Sequence, residues 1–184
     1  MSTRKLQKIK GKGNQKIKED EKMKRRETKK AFLWIIKILR KDKVPFQVTG
    51  GFAAEIYGSR RKLFDIDIDI PGSRIRKILP DVKDYLIFGP KEYKDKDFDV
   101  YMITLKYNGQ RIDICDCYKQ KIFDRKKKRW ITEKIVLSHY EKKRIFDAIV
   151  PVITKKELIK YKEELMRKTD IEDIKEIENK RRKN

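Results

Sequence analysis

The sequence predicts a mixed α/β domain in which a small mixed β-sheet is flanked by helices. Three observations predict it. Phe64 to Ile70 alternates apolar and acidic residues strictly, the period of a strand. Asn108-Gly109, the strongest short hairpin signal, stands between two further alternating runs, Val100 to Tyr107 and Gln110 to Cys117. Apolar residues at helical spacing, Phe32, Leu33, Ile36 and Leu39, then Ile75, Ile78 and Leu79, lie outside these strands.

The elements follow in order. Gly11, Gly13 and Asn14 favour disorder to about residue 15, after which a basic helix runs into the apolar face around Phe32. Trp34, at helical spacing with Ile38, is expected in the core. Lys43-Val44-Pro45 breaks that helix. Phe46 and Val48 form a short strand ended by Gly50-Gly51, and Phe52 to Tyr57 is a helix stopped by Gly58, with Tyr57 packing its end. Ser59 to Leu63 is a polar, basic loop. The acidic strand ends at Pro71-Gly72, and Ser73 is placed to cap the next helix. On the returning hairpin strand Ile112 and Ile114 face one way, and Asp113, Cys115 and Cys117 the other. Pro151-Val152-Ile153 is an extended exit into helices at about 155–168 and 170–182. Three regions result: a basic arm and helix over 1–43, a core over 44–154 and closing helices over 155–184.

Composition narrows the function. The chain has 184 residues, is 38% hydrophobic and 43% charged, and carries a formal net charge of +22. That is one domain with residues to spare for tails. No apolar run approaches the roughly 18 residues of a membrane helix, and the first thirty residues hold no apolar signal-peptide core. The two cysteines, Cys115 and Cys117, match no C-x-x-C pattern and read as small buried hydrophobes in a reduced, cytoplasmic compartment. Residues 1–43 carry 17 basic and 5 acidic side chains, over half of the excess charge. Such an arm is either a solvated solubility segment or a phosphate-tracking one. The run Arg125, Lys126, Lys127, Lys128 and Arg129, followed by Trp130, has the same two readings: a nucleic-acid contact with a stacking aromatic, or a solvated loop beside a packing anchor. His139, the only histidine, is assigned an ordinary structural or surface role. Asp95, Asp97 and Asp99, interleaved with Lys94 and Lys96, read as a solvated, self-compensated loop.

Asp65, Asp67 and Asp69 share one strand face, where like charges repel and raise each other's pKa. Stability alone does not build such a face. Carboxylates so placed suit a hard, oxygen-seeking cation such as Mg²⁺, and Asp113 adds another from the hairpin. Just upstream, Gly50-Gly51 opens a helix whose free N–H groups suit phosphate, and Ser59, Arg60, Arg61 and Lys62 add hydroxyl and cationic donors. Phosphate cradle, cationic clamp and metal ligands together are the parts for phosphoryl or nucleotidyl transfer.

The run Thr49-Gly50-Gly51-Phe52-Ala53-Ala54-Glu55-Ile56-Tyr57-Gly58-Ser59-Arg60, then Phe64-Asp65-Ile66-Asp67-Ile68, resembles the polymerase-β-type nucleotidyltransferase superfamily. It is most similar to the small single-domain members, the minimal, AbiEii-like group that also holds antibiotic adenylyltransferases. The resemblance covers about 44–118 well and the closing helices, from Pro151 through Lys155 to Ile174, more loosely. It implies the polymerase-β-like fold and an enzyme that moves an NMP from an NTP to an acceptor hydroxyl with release of pyrophosphate. Asp65, Asp67 and Asp113 would be catalytic and hold Mg²⁺ or Mn²⁺. Gly50, Gly51, Ser59, Arg60 and Lys162 would bind the nucleotide. Asp170 resembles a functional position on the closing helices, and Asp69 is extra to the pattern. The basic charge favours a polyanionic acceptor, RNA such as tRNA, contacted through the arm, the 125–129 run, or a second subunit or partner protein. Transfer to a protein or small molecule, and a non-catalytic nucleic-acid-binding protein on a relict fold, are the rival readings.

Overall fold

The computed structural model describes residues 3–133 and 135–181, with side chains over 19–133 and 135–179. Five α-helices and nine strands form it, in the order α1 (Thr3–Lys41), β1 (Gln47–Thr49), α2 (Gly50–Tyr57), β2 (Asp65–Ile70), α3 (Ile75–Val82), β3 (Leu86–Lys94), β4 (Phe98–Tyr107), β5 (Gln110–Asp116), β6 (Lys121–Asp124), β7 (Arg129–Thr132), β8 (Tyr140–Ile145), β9 (Ala148–Ile153), α4 (Lys155–Leu165) and α5 (Lys168–Arg181). The strands make one mixed sheet in the order β7-β6-β4-β5-β2-β1-β9-β8, with β3 added on β4. Parallel pairing is confined to β2 with β5 and β1 with β9.

The alternation of β2 sorts its side chains. Ile66, Ile68 and Ile70 turn to one face, joined by Ile112 and Ile114 of β5 and Ile103 and Leu105 of β4, all fully or almost fully buried. Ala31, Phe32, Ile35, Ile36 and Leu39 of α1, and Ile75, Ile78 and Val82 of α3, complete that core. Trp34 stacks flat on Tyr107 with ring centroids 4.2 Å apart and meets Tyr85 edge-on, so it seals the core margin as its spacing suggested. Tyr57 packs the end of α2 and donates its hydroxyl to the Ile153 carbonyl at 2.8 Å. The opposite face of β2 carries the aspartates. There α4 stands over the sheet, started by a Thr154–Glu157 capping box in which the Glu157 N–H donates to Thr154 Oγ1.

Several expectations are corrected. The sheet is large, because residues 86–94, 121–124, 129–132 and 140–145 are strands that carry little alternation. In β3, Gly89-Pro90 punctuates the run and the register shifts around it. β8 is an edge strand whose Glu141, Lys142, Lys143 and Arg144 mask its β character, a common guard on an open edge. Helix α1 begins at Thr3 rather than near residue 15; straight-chain Lys and Gln favour helix and outweigh Gly11 and Gly13. Ser73 does not cap α3; it lies within a single 3₁₀ turn, Gly72–Arg74. The stretch around Asp95 is not simply solvated. Asp95 accepts the Asp97 and Phe98 N–H groups in the β3–β4 turn, and buried Asp97 accepts from Arg125, while Lys94 does pair with Asp99. His139 is a surface residue facing Glu157.

Phe32 is fully buried and meets Phe52 edge-on at 5.2 Å, joining α1 to α2. Phe32→Ala should lower unfolding stability by about 3–5 kcal/mol, read from the shift of the denaturant midpoint.

Candidate active site

β2 and β5 run parallel in a register that sets Asp67 opposite Asp113 and Asp65 opposite Arg111. One ligand oxygen from each of Asp65, Asp67 and Asp113 lies within 4.8 Å of the others. The antiparallel pairing of β1 with β2 sets Thr49 opposite Asp67, so α2 starts beside that carboxylate. The Gly51 N–H donates to Asp67 Oδ2 at 2.9 Å. Gly50 has φ +60, and a Cβ there would fall 2.0 Å from the same oxygen. Both reasons make Gly50 a glycine.

The electrostatics follow from the crowding. Burial, then Asp65 and Asp113, push the Asp67 carboxyl up to about 8 against the Gly51 hydrogen bond. Burial and then Asp113 raise Asp65 as well. Arg111 Nε donates to both Asp113 oxygens at 3.0 Å, and its half-exposed guanidinium is the nearest neutralising charge on the open side. Burial works against the Arg111 cation, but the Asp113 bond raises its pKa on balance. Three carboxylates crowded so that each resists ionisation beside the others offer the clustered oxygen donors that fit a hard divalent cation.

Asp69 is not in that cluster. It is buried farther along β2, bonded by the Gln120 amide, and pushed up to about 7 by burial against the Gln120 and Thr49 hydrogen bonds. Glu133, near it, is likewise pushed to about 7 by burial and by Glu164.

The cationic donors are arranged differently from the expectation. Arg60 uses its backbone N–H on Glu176. Arg61 instead reaches the site: its guanidinium lies 2.8 Å from where a Gly51 Cβ would be, and Asp173 holds it through Nε at 3.1 Å. Ser59 Oγ donates to Asp173 at 2.7 Å and contacts Glu176 at 3.1 Å. Lys162 is 1% exposed and bonded to Asp173 at 2.8 Å and Asp170 at 3.2 Å, and Asp170 also pairs with Arg167. Burial alone would raise the Asp173 carboxyl, but Arg61, Lys162 and Ser59 hold it below its usual range.

Arg61 and Arg111 are the site residues that sequence reasoning did not select. Arg61 was present only as one of four donors in a loop, and Arg111 shows itself only once β5 is paired with β2. Nothing links the 125–129 run to the carboxylates. It forms the β6–β7 turn, where Arg125 pairs with Asp97, Lys126 with Glu163 and Lys127 with Asp124.

The chain overlays TM1012 of Thermotoga maritima, a candidate nucleotidyltransferase, with a TM-score of 0.65 at 17% identity, over 85% of this chain and 95% of that one. The chain has the nucleotidyltransferase fold. The lincosamide antibiotic adenylyltransferase LnuA, solved with lincomycin bound, matches with a TM-score of 0.53 at 17% identity, over 81% of this chain and 95% of its own. No family model matches the chain, and no curated protein matches it.

The raised Asp67 pKa fixes a pH dependence. A carboxyl whose folded pKa lies above its unfolded value loses stability as pH rises from about 4 to about 8. With chelator present, Asp67→Asn should therefore match the wild type near pH 4 and become progressively more stable than it up to about pH 8, levelling off above. Melting temperatures of the two proteins measured across this range check the sign.

Proposed function

We propose that the protein is a metal-dependent nucleotidyltransferase that moves an NMP from an NTP to an acceptor hydroxyl on RNA, tRNA being one such acceptor, and releases pyrophosphate. The observation that carries this reading is the close set of Asp65, Asp67 and Asp113 beside the N-terminus of α2. Those three carboxylates would hold Mg²⁺ or Mn²⁺. When bound, such an ion lowers the acceptor hydroxyl's pKa and offsets phosphate charge. The acceptor oxygen forms a bond to the α-phosphorus, the bond from that phosphorus to the pyrophosphate oxygen breaks, and the hydroxyl proton passes to solvent water.

The chain's own groups each have a part in this. Gly50 and Gly51 let the backbone approach the triphosphate with no side chain between. Arg61, pinned by Asp173 across Gly51, presents a cation where phosphate charge would lie. Ser59 and Lys162 act through Asp173, holding Arg61 in place. The Lys162 ammonium is paired with two buried carboxylates, which supports a positioning role over direct contact with the nucleotide. Asp113 is the most buried of the three carboxylates and is bonded to the half-exposed Arg111, which faces solvent beside it. The net charge of +22 supports a polyanionic acceptor. Transfer to a small molecule or a protein is the second reading, favoured by the acids Asp69, buried, and Glu133, half-buried, which would suit a cationic acceptor.

Purified protein incubated with each α-labelled NTP, Mg²⁺ and total cellular RNA should label an RNA band. Asp67→Asn should lose at least about a hundredfold in rate while staying folded, on the scale of removing a charge-stabilising active-site group. Label in protein or in a small-molecule control alone would move the assignment to the second reading, and an active Asp67→Asn would end it.

A further inference from the structure

The face of the sheet that carries the carboxylates continues past Asp113 through buried Thr104 and Met102 of β4 to the exposed end of β3. Paired residues of neighbouring strands share a face, so the register traces it. Asp113 lies opposite Thr104 of β4, and Thr104 lies opposite Phe88 of β3. Lys91 opposite Met102, and Tyr93 opposite Val100, continue the same row along β3. Phe88 is thus two strands from Asp113, about 10 Å away.

These β3 residues form a cluster with the chemistry of a base-stacking surface. Phe88 and Tyr93 meet edge-on at 5.9 Å. Lys91 Nζ lies 4.8 Å from the Phe88 ring centre, and Tyr93 is 36% exposed. The Tyr93 hydroxyl is tied to Asp95 at 2.9 Å, which fixes the ring's orientation. Arg111, bonded to Asp113, also lies close enough to Tyr93 for its charge to act on that hydroxyl, and Lys106, its partner across β4 and β5, lies on the same face beyond Thr104. Tyr93, exposed beside half-buried Phe88 and among cations, offers aromatic surface to a strand of bases and phosphates.

We propose that the β3 strip Phe88–Lys91–Tyr93 is the platform on which the terminal bases of a single-stranded RNA acceptor lie, its backbone meeting Arg111 so that the 3′ hydroxyl reaches the carboxylate cluster. The inference rests on the RNA-acceptor reading above and names the surface that reading needs. Single strands suit the strip because their bases are free to stack, and stacking needs no particular sequence. The alternative aromatic, Trp130, is on the wrong face. It pairs with Phe123 of β6, in the row of Lys121 and Asp99, which alternates with the row that leads to Asp113. The cations around it at Arg125, Lys126 and Lys127 are already paired with acids.

The test is fluorescence anisotropy of the full chain with a 5′-fluorescein single-stranded oligoribonucleotide carrying a free 3′ hydroxyl. Tyr93→Ala and Phe88→Leu should each weaken binding about fivefold or more, the scale of one lost stacking partner. Lys91→Glu, a surface change with no packing consequence, should also weaken it and steepen no other loss. NTP–Mg²⁺ binding by calorimetry should be unaltered in all three. Crosslinks from a 4-thiouridine near the 3′ end should map to residues 86–94. If the wild type binds and extends the strand but all three variants bind it equally well, or if Trp130→Ala alone produces the loss, the strip is wrong while the acceptor reading stands. If the wild type binds NTP–Mg²⁺ but neither binds nor labels the strand, the acceptor reading fails and the strip fails with it.

Discussion

Three carboxylates held within 4.8 Å of one another are a repulsive arrangement that the surrounding structure must sustain. The sheet sustains it mechanically. Parallel pairing of β2 with β5 locks Asp67 beside Asp113, and the buried isoleucines on the reverse face prevent either strand from slipping by one residue. A slip would send every aspartate into the core. The same apolar alternation that makes the strand therefore also makes the site.

The second support is electrical and comes from two directions. The Gly51 N–H meets Asp67 from the start of α2, and the Arg111 fork meets Asp113 from the open side. Behind them stands a buried ionic network in which Lys162, Arg61 and Arg167 face Asp170 and Asp173, with Ser59 and Glu176 at its edge. Such networks add little net stability, since desolvation offsets attraction, but removing one member leaves a charge stranded. Its value here is geometric. It joins the loop after α2 to α4 and α5, elements more than a hundred residues apart in sequence, and so holds Arg61 against Gly51.

The parts of this design differ in how legible they are in sequence. Strict alternation exposes β2, and Asn108-Gly109 exposes the β4–β5 hairpin, so the carboxylates could be placed on strands from spacing alone. The glycine pair is legible because a φ of +60 and a crowding carboxylate leave no other residue possible. Arg61 is not legible, because four polar residues in a row offer no sign of which one a distant aspartate will hold. Lys162 and Asp173 are eleven residues apart on different helices, and only tertiary packing makes them partners. β3, β6, β7 and β8 escape for a different reason. Their side chains answer to solvent, turns and an edge rather than to a buried face, and periodicity weakens where burial is one-sided or absent.

Charge is segregated in this protein, and the segregation sets what the site can accept. The body is strongly basic, and its field draws polyanions toward the surface from beyond contact distance. The centre is anionic, and its three carboxylates oppose any phosphate that arrives bare. The two fields reconcile only when the incoming anion brings cations with it or finds them already held, because a divalent ion in a small site is the largest local charge and reverses the sign the phosphate meets. Arg61 and Arg111 lie on the boundary between these regions, each fixed by an aspartate. In the reaction proposed above, a nucleotide approaching past Gly51 would meet Arg61 and a group approaching past β5 would meet Arg111 before either reached the carboxylates.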